Sequence, residues 1–260
     1  MHTILEVTPD AHRTSVNHPL DGPELIPDGD AFDGWIPDAG LVVTTTADRT
    51  RARSWNPALA FLFVVLAAAI TGALTPLGEH HLPASVNSAA NSSAPWAMVA
   101  FASVYVVRAR AVFAAALGAC AFVAMDAAFY VAFQQEFGYH YANHYLLFWI
   151  GIAVIVGPLV GLCASWLRAP QPILRAIGVA APSSILIGEG VFMLIHLPGV
   201  STLYSVACVL GGLLLFVIVA AAKLRRFGQF VASLAICASA SILFYSVYSL
   251  LPLILHKTVP

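Results

Sequence analysis

Two acidic residues, Asp126 and Glu189, lie inside long apolar stretches of the sequence, where ionisable side chains are rare. A carboxylate in such surroundings is costly unless it faces a cavity, has a partner or holds a proton, so it is a candidate binding group. Two glycines flank Glu189 in IGEGVF and would let another backbone approach it, and His196 follows seven residues on, on the same helical face. The alternative for both acids is a neutral carboxyl group that is hydrogen-bonded between helices.

A polar run enters one of the apolar segments. The run VNSAANSSAPW at 86–96 contains two amides and two hydroxyls that could bind a ligand: Asn87, Asn91, Ser92 and Ser93. From Pro95 to Val107 only 13 residues, almost all apolar, precede Arg108, giving about 20 Å of helix, about 10 Å less than a bilayer core.

Two arrangements would resolve this shortage of length. Either Arg108 and Arg110 reach the interface while the bilayer thins, or the polar run dips into the outer leaflet. We favour the second, because Pro95 suits a helix start whose N–H groups Ser92 or Ser93 can cap.

Together these side chains predict an outward-facing polar cavity in a transporter-like or substrate-binding membrane protein. The predicted ligand-binding residues are Asn87, Asn91, Ser92, Ser93, Asp126, Glu189 and His196. Acidic lining favours a small cationic or polar ligand, or a proton. One alternative is a structural or regulatory membrane subunit of a larger complex with no transport of its own. Another is an intramembrane enzyme with Glu189 and His196 as acid and base, although no motif supports it.

A second candidate site is a metal site. In QQEFGYHYANHY, the residues Glu136, His140 and His144 are spaced by four, which would align them on one helix face as ligands for a divalent metal. Gly138 and Asn143 argue against a continuous helix through them. The alternative is a set of interfacial histidines bonded to headgroups and water.

No cofactor is expected. The chain contains no GxxxxGK[ST], HExxH, GxSxG or GxGxxG motif, so an ATPase or other enzyme of those classes is not predicted. Retinal needs a Schiff-base lysine in the last helix, and residues 228–255 contain none. The expected partners are the lipid bilayer, a small ligand and a protein subunit, with no nucleic acid.

Composition sets the class of protein that must position these groups. With 60% hydrophobic residues, 10% charged residues and a mean hydropathy of +0.84, the chain predicts an all-α, polytopic membrane helix bundle. Seven transmembrane helices are expected near 57–76, 89–107, 111–133, 144–167, 174–196, 201–222 and 228–255. GPLVG at 157–161 is a GxxxG pattern that indicates close helix packing.

Charge divides the chain into two parts. Residues 1–54 contain nine acidic and four basic residues, and we expect a disordered cytoplasmic tail there, with the seven-helix transmembrane domain at 55–260. An inside N-terminus and an outside C-terminus place eleven of the twelve Lys and Arg residues on the cytoplasmic side. The expected location is the inner (plasma) membrane of a bacterial cell.

Three stretches of the chain resemble a known family. ITGALTPLGEHHLPASVNSAANSSAPW, LLFWIGIAVIVGPLVGLCASWLRAP and ILIGEGVFML are similar to an uncharacterised family of actinobacterial integral membrane proteins, which implies no function. The size and the outer loop after the first helix also resemble the substrate-binding membrane components of energy-coupling-factor transporters. That second resemblance implies a substrate covered by the outer loop.

Overall fold

The computed structural model describes residues 55–83, 85–138, 143–197, 199 and 202–258, without the side chains of 143, 144 and 252–258. The expected acidic tail at 1–54 lies outside the described residues. The described part contains seven α-helices and no strand: α1 Pro57–His81, α2 Ser93–Val107, α3 Ala111–Phe137, α4 Asn143–Trp166, α5 Pro172–His196, α6 Thr202–Lys223 and α7 Phe227–Thr258. A single 3-10 turn, Asn87–Ala89, precedes α2.

Six of these helices are long and apolar enough to cross a membrane. The exception is α2, which has 15 residues and so is only about 22 Å long. The all-helical, multi-pass membrane class is therefore confirmed, whereas the second predicted span, 89–107, is shorter than expected. Polar residues explain the difference, because the chain from Asn87 to Ser92 forms the 3-10 turn and a connecting segment instead of helix.

Local sequence explains where the helices begin and end. Asn56 caps α1 by accepting a hydrogen bond from the Ala58 backbone N–H at 2.9 Å, and a proline opens both α1 and α5. Gly138 ends α3 in the left-handed region at φ 70°. Arg108 ends α2 in the same region at φ 57°, which is strained for a residue with a side chain.

The helices pack as two groups of three. α3 packs extensively against α1 and α4, and α5 packs extensively against α6 and α7. Contacts between α4 and α5 and between α2 and α5 are much less extensive. The short α2 also contacts α1, α3 and α4, so it lies at the seam between the group α1, α3, α4 and the group α5, α6, α7.

Glycines bring the backbones of α3 and α4 into direct contact. A Cβ on Gly161 would lie 2.0 Å from the carbonyl oxygen of Ala114, and one on Gly118 would lie 2.1 Å from that of Gly157. Small residues allow such close approach, and helix association in membranes depends on packing of this kind. The close packing predicted from GPLVG is therefore confirmed.

Candidate functional site

The short helix α2 begins well inside the ends of its neighbours. The Trp96 indole N–H donates to Thr75 Oγ1 at 3.1 Å, and Thr75 lies six residues before the end of α1 at His81. Glu189, which contacts the first turn of α2, lies seven residues before the end of α5. By helical rise, α2 therefore starts about 10 Å inside both neighbouring ends. Of the two arrangements considered above, this depth favours a polar run that dips into the outer leaflet rather than a bilayer that thins around α2.

Glu189 binds the start of α2 from a different helix. Its side chain is 1% exposed. One carboxylate oxygen accepts hydrogen bonds from the Ala94 backbone N–H at 2.6 Å and from the Ser93 hydroxyl at 2.8 Å. The other oxygen accepts a short hydrogen bond from the Ser92 hydroxyl. A carboxylate in this position satisfies N–H groups that a helix start leaves unpaired and is stabilised by the helix dipole.

This arrangement corrects the expected capping of α2. Ser92 occupies the N-cap position but makes no side-chain bond to the helix that it precedes. Its hydroxyl, like that of Ser93, is directed to Glu189, and the carboxylate performs the capping in trans. An acid on a distant helix is a stronger cap than a hydroxyl, because hydrogen bonds to an ionised acceptor are stronger.

Two tyrosines complete the polar cluster and were missed by the sequence analysis. Tyr204 of α6 places its hydroxyl 2.6 Å from the Ser92 hydroxyl. Tyr248 of α7 hydrogen-bonds with Ser93. Tyrosines near the ends of apolar segments are normally interpreted as interfacial residues, so the sequence gives no signal that these two turn inward. We call Ser92, Ser93, Glu189, Tyr204 and Tyr248 the Glu189 cluster.

The glycines beside Glu189 have a different role from the one predicted. A Cβ on Gly188 would lie 2.9 Å from the Ser241 carbonyl oxygen of α7, and one on Gly190 would lie 2.8 Å from the Ser205 carbonyl oxygen of α6. They therefore allow α6 and α7 to approach α5 on two sides. The carboxylate faces a third neighbour, α2.

The other predicted ligand-binding residues make their described contacts outside this cluster. Asp126 is 8% exposed in α3 and makes no hydrogen bond or ion pair with any residue in the described ranges. His196 stacks on Phe192, with ring centroids 4.6 Å apart, and its Nδ1 lies 3.2 Å from the Phe192 carbonyl oxygen. The amide of Asn91 donates to Glu79 at 3.5 Å, and Asn87 has interactions of its own.

Two clefts lie away from the Glu189 cluster. The larger, about 640 Å³, lies between α1 and α3 and is lined almost wholly by apolar side chains, as expected of a groove that faces lipid. The smaller, about 280 Å³, lies where α4 meets α5 and α6 meets α7. Neither contains Asp126, Glu189 or His196, so neither supports the predicted outward-facing polar cavity.

The smaller cleft belongs to a basic end of the bundle. Its lining residues are Leu167, Arg168, Arg175, Ala222, Lys223 and Arg225. The Arg168 guanidinium lies 3.9 Å from the centre of the Tyr105 ring and donates a short hydrogen bond to the Tyr105 carbonyl oxygen at the last turn of α2. Lys223 Nζ donates to the Tyr105 hydroxyl at 3.1 Å. These bonds hold the ends of α2, α4 and α6 together. Burial lowers the pKa of the Arg168 guanidinium.

The predicted metal residue Glu136 lies against different histidines from those expected. Its carboxylate is 2.5 Å from His80 Nδ1 and 3.5 Å from His81 Nε2, both in the last turn of α1. His140 and the side chain of His144 lie outside the described residues, so their part in the prediction is untested. Sequence spacing suggested partners near Glu136 in the chain, whereas the fold brings partners from the adjacent helix.

Comparison with known proteins supplies a family but no activity. One family profile, described as a family of unknown function, matches residues 51–253. No curated protein and no solved structure matches the chain. The resemblance to an uncharacterised family is confirmed, while an actinobacterial origin and the likeness to energy-coupling-factor components stay predictions.

Proposed function

The chain belongs to this family, DUF6518, and we propose that it is a transporter-like membrane protein that binds a proton or a small cationic ligand at Glu189. The observation that supports the proposal is a fully buried carboxylate that holds the start of an interrupted helix. Ionisable groups at such depth in membrane proteins commonly mark ion and proton pathways.

The state of Glu189 is coupled to the position of α2. An ionised carboxylate can accept hydrogen bonds from Ser92, Ser93 and the Ala94 N–H at once. A protonated carboxyl group has one O–H donor and less acceptor strength, so it binds the helix start more weakly. A cation bound to the carboxylate would compete for the same oxygens. In either case, ligand binding weakens the contact between α5 and α2.

That contact lies at the seam between the two groups of three helices. Contacts within each group are extensive, whereas those across the seam, from α2 and α4 to α5, are few. Many transporters bind their ligand where an interrupted helix meets a neighbouring repeat and move one group of helices against the other. The seam and the Glu189 cluster fit that arrangement.

Proton flux into proteoliposomes tests the proposal. Purified full-length protein is reconstituted with a pH-sensitive dye inside, and a potassium gradient with valinomycin drives proton entry. The wild type should acidify the lumen faster than protein-free liposomes, and Glu189→Gln should lose most of that flux, because the amide cannot exchange a proton. Asp126→Asn is the matched control, since it neutralises another buried acid, which has no hydrogen bond to α2 or α5 within the described residues.

A second arm imposes an inward sodium gradient and follows sodium entry with a sodium-sensitive dye, because a pH-sensitive dye does not report a cation that moves without a proton. If neither arm gives flux above protein-free liposomes, or if Glu189→Gln matches the wild type, the proposed function is wrong. Elution of each variant as a monodisperse peak in detergent excludes misfolding as the cause of a loss.

A structural or regulatory subunit is the second candidate. It is favoured by the completeness of the hydrogen bonds at Glu189 and by the two clefts described above, neither of which includes the carboxylate. Deleting residues 1–50 separates the two. A subunit that binds its partner through the acidic tail should shift to a smaller complex on a native gel of source membranes, whereas a transporter should retain its flux.

A further inference from the structure

We infer that His80, His81 and Glu136 form a site for Zn²⁺ or a similar divalent transition metal where α1 and α3 end. One ligand atom from each of the three side chains lies within 4.8 Å of the other two. Imidazole nitrogen and carboxylate oxygen are ligands that zinc prefers, and two His with one carboxylate is a known three-ligand set that leaves a fourth position for water. This site is separate from the Glu189 cluster and does not depend on the proposed function.

The distances are close to those that a bound metal needs. With bonds of about 2.0–2.1 Å and tetrahedral angles, adjacent ligand atoms lie about 3.3 Å apart. His81 Nε2 and a Glu136 oxygen are already 3.5 Å apart. His80 Nδ1 is 2.5 Å from the same oxygen, a hydrogen-bond distance, and must move away by less than about 1 Å when a metal replaces the bridging proton.

The imidazole rings can adjust to meet one ion. They stack with centroids 4.7 Å apart and planes inclined by 14°, so their lone pairs lie in nearly parallel planes and do not converge on one point. Rotation about χ2, whose energy profile is broad for histidine, turns both nitrogens toward a common point. Both side chains are more than half exposed to solvent. The rings therefore have room to rotate, and an ion can reach them.

The two helices that supply the ligands are held in a fixed relation. A Cβ on Gly72 of α1 would lie 2.2 Å from the carbonyl oxygen of Met125 in α3, so the two backbones are in direct contact. Glu136 follows Met125 by three turns of the same helix, and His80 follows Gly72 by two turns. A rigid base of this kind spares a metal the entropic cost of bringing its ligands together.

The competing explanation is a plain hydrogen bond between a histidine and Glu136. That explanation accounts for His80, which is close enough to bond. It leaves unexplained why a second, exposed histidine also directs a ring nitrogen toward the same carboxylate oxygen. No basic side chain within the described ranges forms an ion pair with Glu136 apart from these two histidines, so its charge is available to a cation.

Metal titration of the purified full-length protein tests the inference. After treatment with chelator, the detergent-solubilised protein is titrated with CoCl₂ and followed by visible absorption, then with ZnCl₂ by calorimetry. The wild type should bind one equivalent of Co²⁺ with the d–d bands of a tetrahedral nitrogen and oxygen site, and Zn²⁺ should displace it. The single variants His80→Ala, His81→Ala and Glu136→Gln should each weaken Zn²⁺ binding at least about tenfold.

His196→Ala is the matched control, because it removes another exposed histidine from the end of a helix without touching the cluster. It should bind Zn²⁺ as tightly as the wild type. Absence of stoichiometric binding to the wild type would overturn the inference. So would binding that survives all three ligand variants but is lost in His140→Ala or His144→Ala, which would move the site to the histidines predicted from the sequence.

Discussion

At the scale of single residues, the clearest source of strain is Arg108. It adopts φ 57°, a conformation that costs most L-residues about 1–2 kcal/mol. Arg108→Gly should therefore raise the thermal midpoint in detergent by a few degrees, a gain of about 1 kcal/mol. Arg108→Ala is the control, since it removes the same charge but retains the Cβ. Equal midpoints for the two variants would show that charge, not backbone strain, governs this turn.

The glycines of α4 allow a second test in which one helix contains both the variant and its control. Gly161→Ala places a Cβ 2.0 Å from a backbone oxygen of α3, whereas a Cβ on Gly151 meets nothing within 4 Å. We expect Gly161→Ala to destabilise the protein by about 1–3 kcal/mol. Gly151→Ala should be neutral or stabilising by up to about 1 kcal/mol. The thermal midpoints of both variants check this, and a similar loss in the two would disprove the close contact.

At the scale of elements, the start of α2 should depend on a residue of α5. Glu189→Ala removes the acceptor of the Ala94 N–H, so hydrogen–deuterium exchange in residues 90–97 should accelerate by about tenfold or more. Peptides from α3 should be unchanged. Asp126→Ala is the control, and it should leave residues 90–97 as protected as in the wild type. An unchanged rate at 90–97 in Glu189→Ala would mean that the carboxylate does not hold this helix.

Sequence reasoning located the elements well and their partners poorly. The apolar runs predicted all seven helices to within a few residues at most ends, because charged or polar turns separate the runs. Glu189, Ser92 and Ser93 could be singled out, since acids and hydroxyls are conspicuous in apolar surroundings. Their contact could not be predicted, because Ser92 and Glu189 are 97 residues apart in the chain.

The same limit applies to the other candidate residues. Glu136 was paired with His140 and His144 because periodicity within one helix is the only geometry that a sequence displays directly. Its observed neighbours, His80 and His81, come from a different helix. His196 shares a helix with Glu189, yet its ring stacks on Phe192 and lies 5.5 Å from the Tyr245 ring of α7.

At the scale of the whole molecule, the charges of the described helices are strongly segregated. The described helices contain four acidic residues, Glu79, Asp126, Glu136 and Glu189. None of the four contacts the basic end formed around Arg168 and Lys223. A basic end without counter-ions is typical of the cytoplasmic face of a membrane protein. The orientation predicted from the sequence, with the N-terminus inside, therefore remains our expectation.

Cysteine labelling checks that orientation. The four native cysteines, all free, are replaced by alanine, and Leu82→Cys or Arg110→Cys is introduced at opposite ends of the bundle. The cells are first treated so that the reagent passes the cell envelope outside the plasma membrane. A membrane-impermeant maleimide should then label Leu82→Cys, and it should label Arg110→Cys only after the plasma membrane is permeabilised. The reverse pattern would place the basic end outside and invert the topology.

The capping of α2 by Glu189 also bears on how the chain is assembled during synthesis. When the start of α2 is translated, the acid that satisfies its first N–H groups is still about a hundred residues from being added to the chain. Until α5 enters the bilayer, the membrane-insertion machinery or water must shelter that helix start, since exposed N–H groups are costly in lipid. We therefore expect chains that stop before α5 to leave the start of α2 unpaired and to be less stable in the membrane than the full chain.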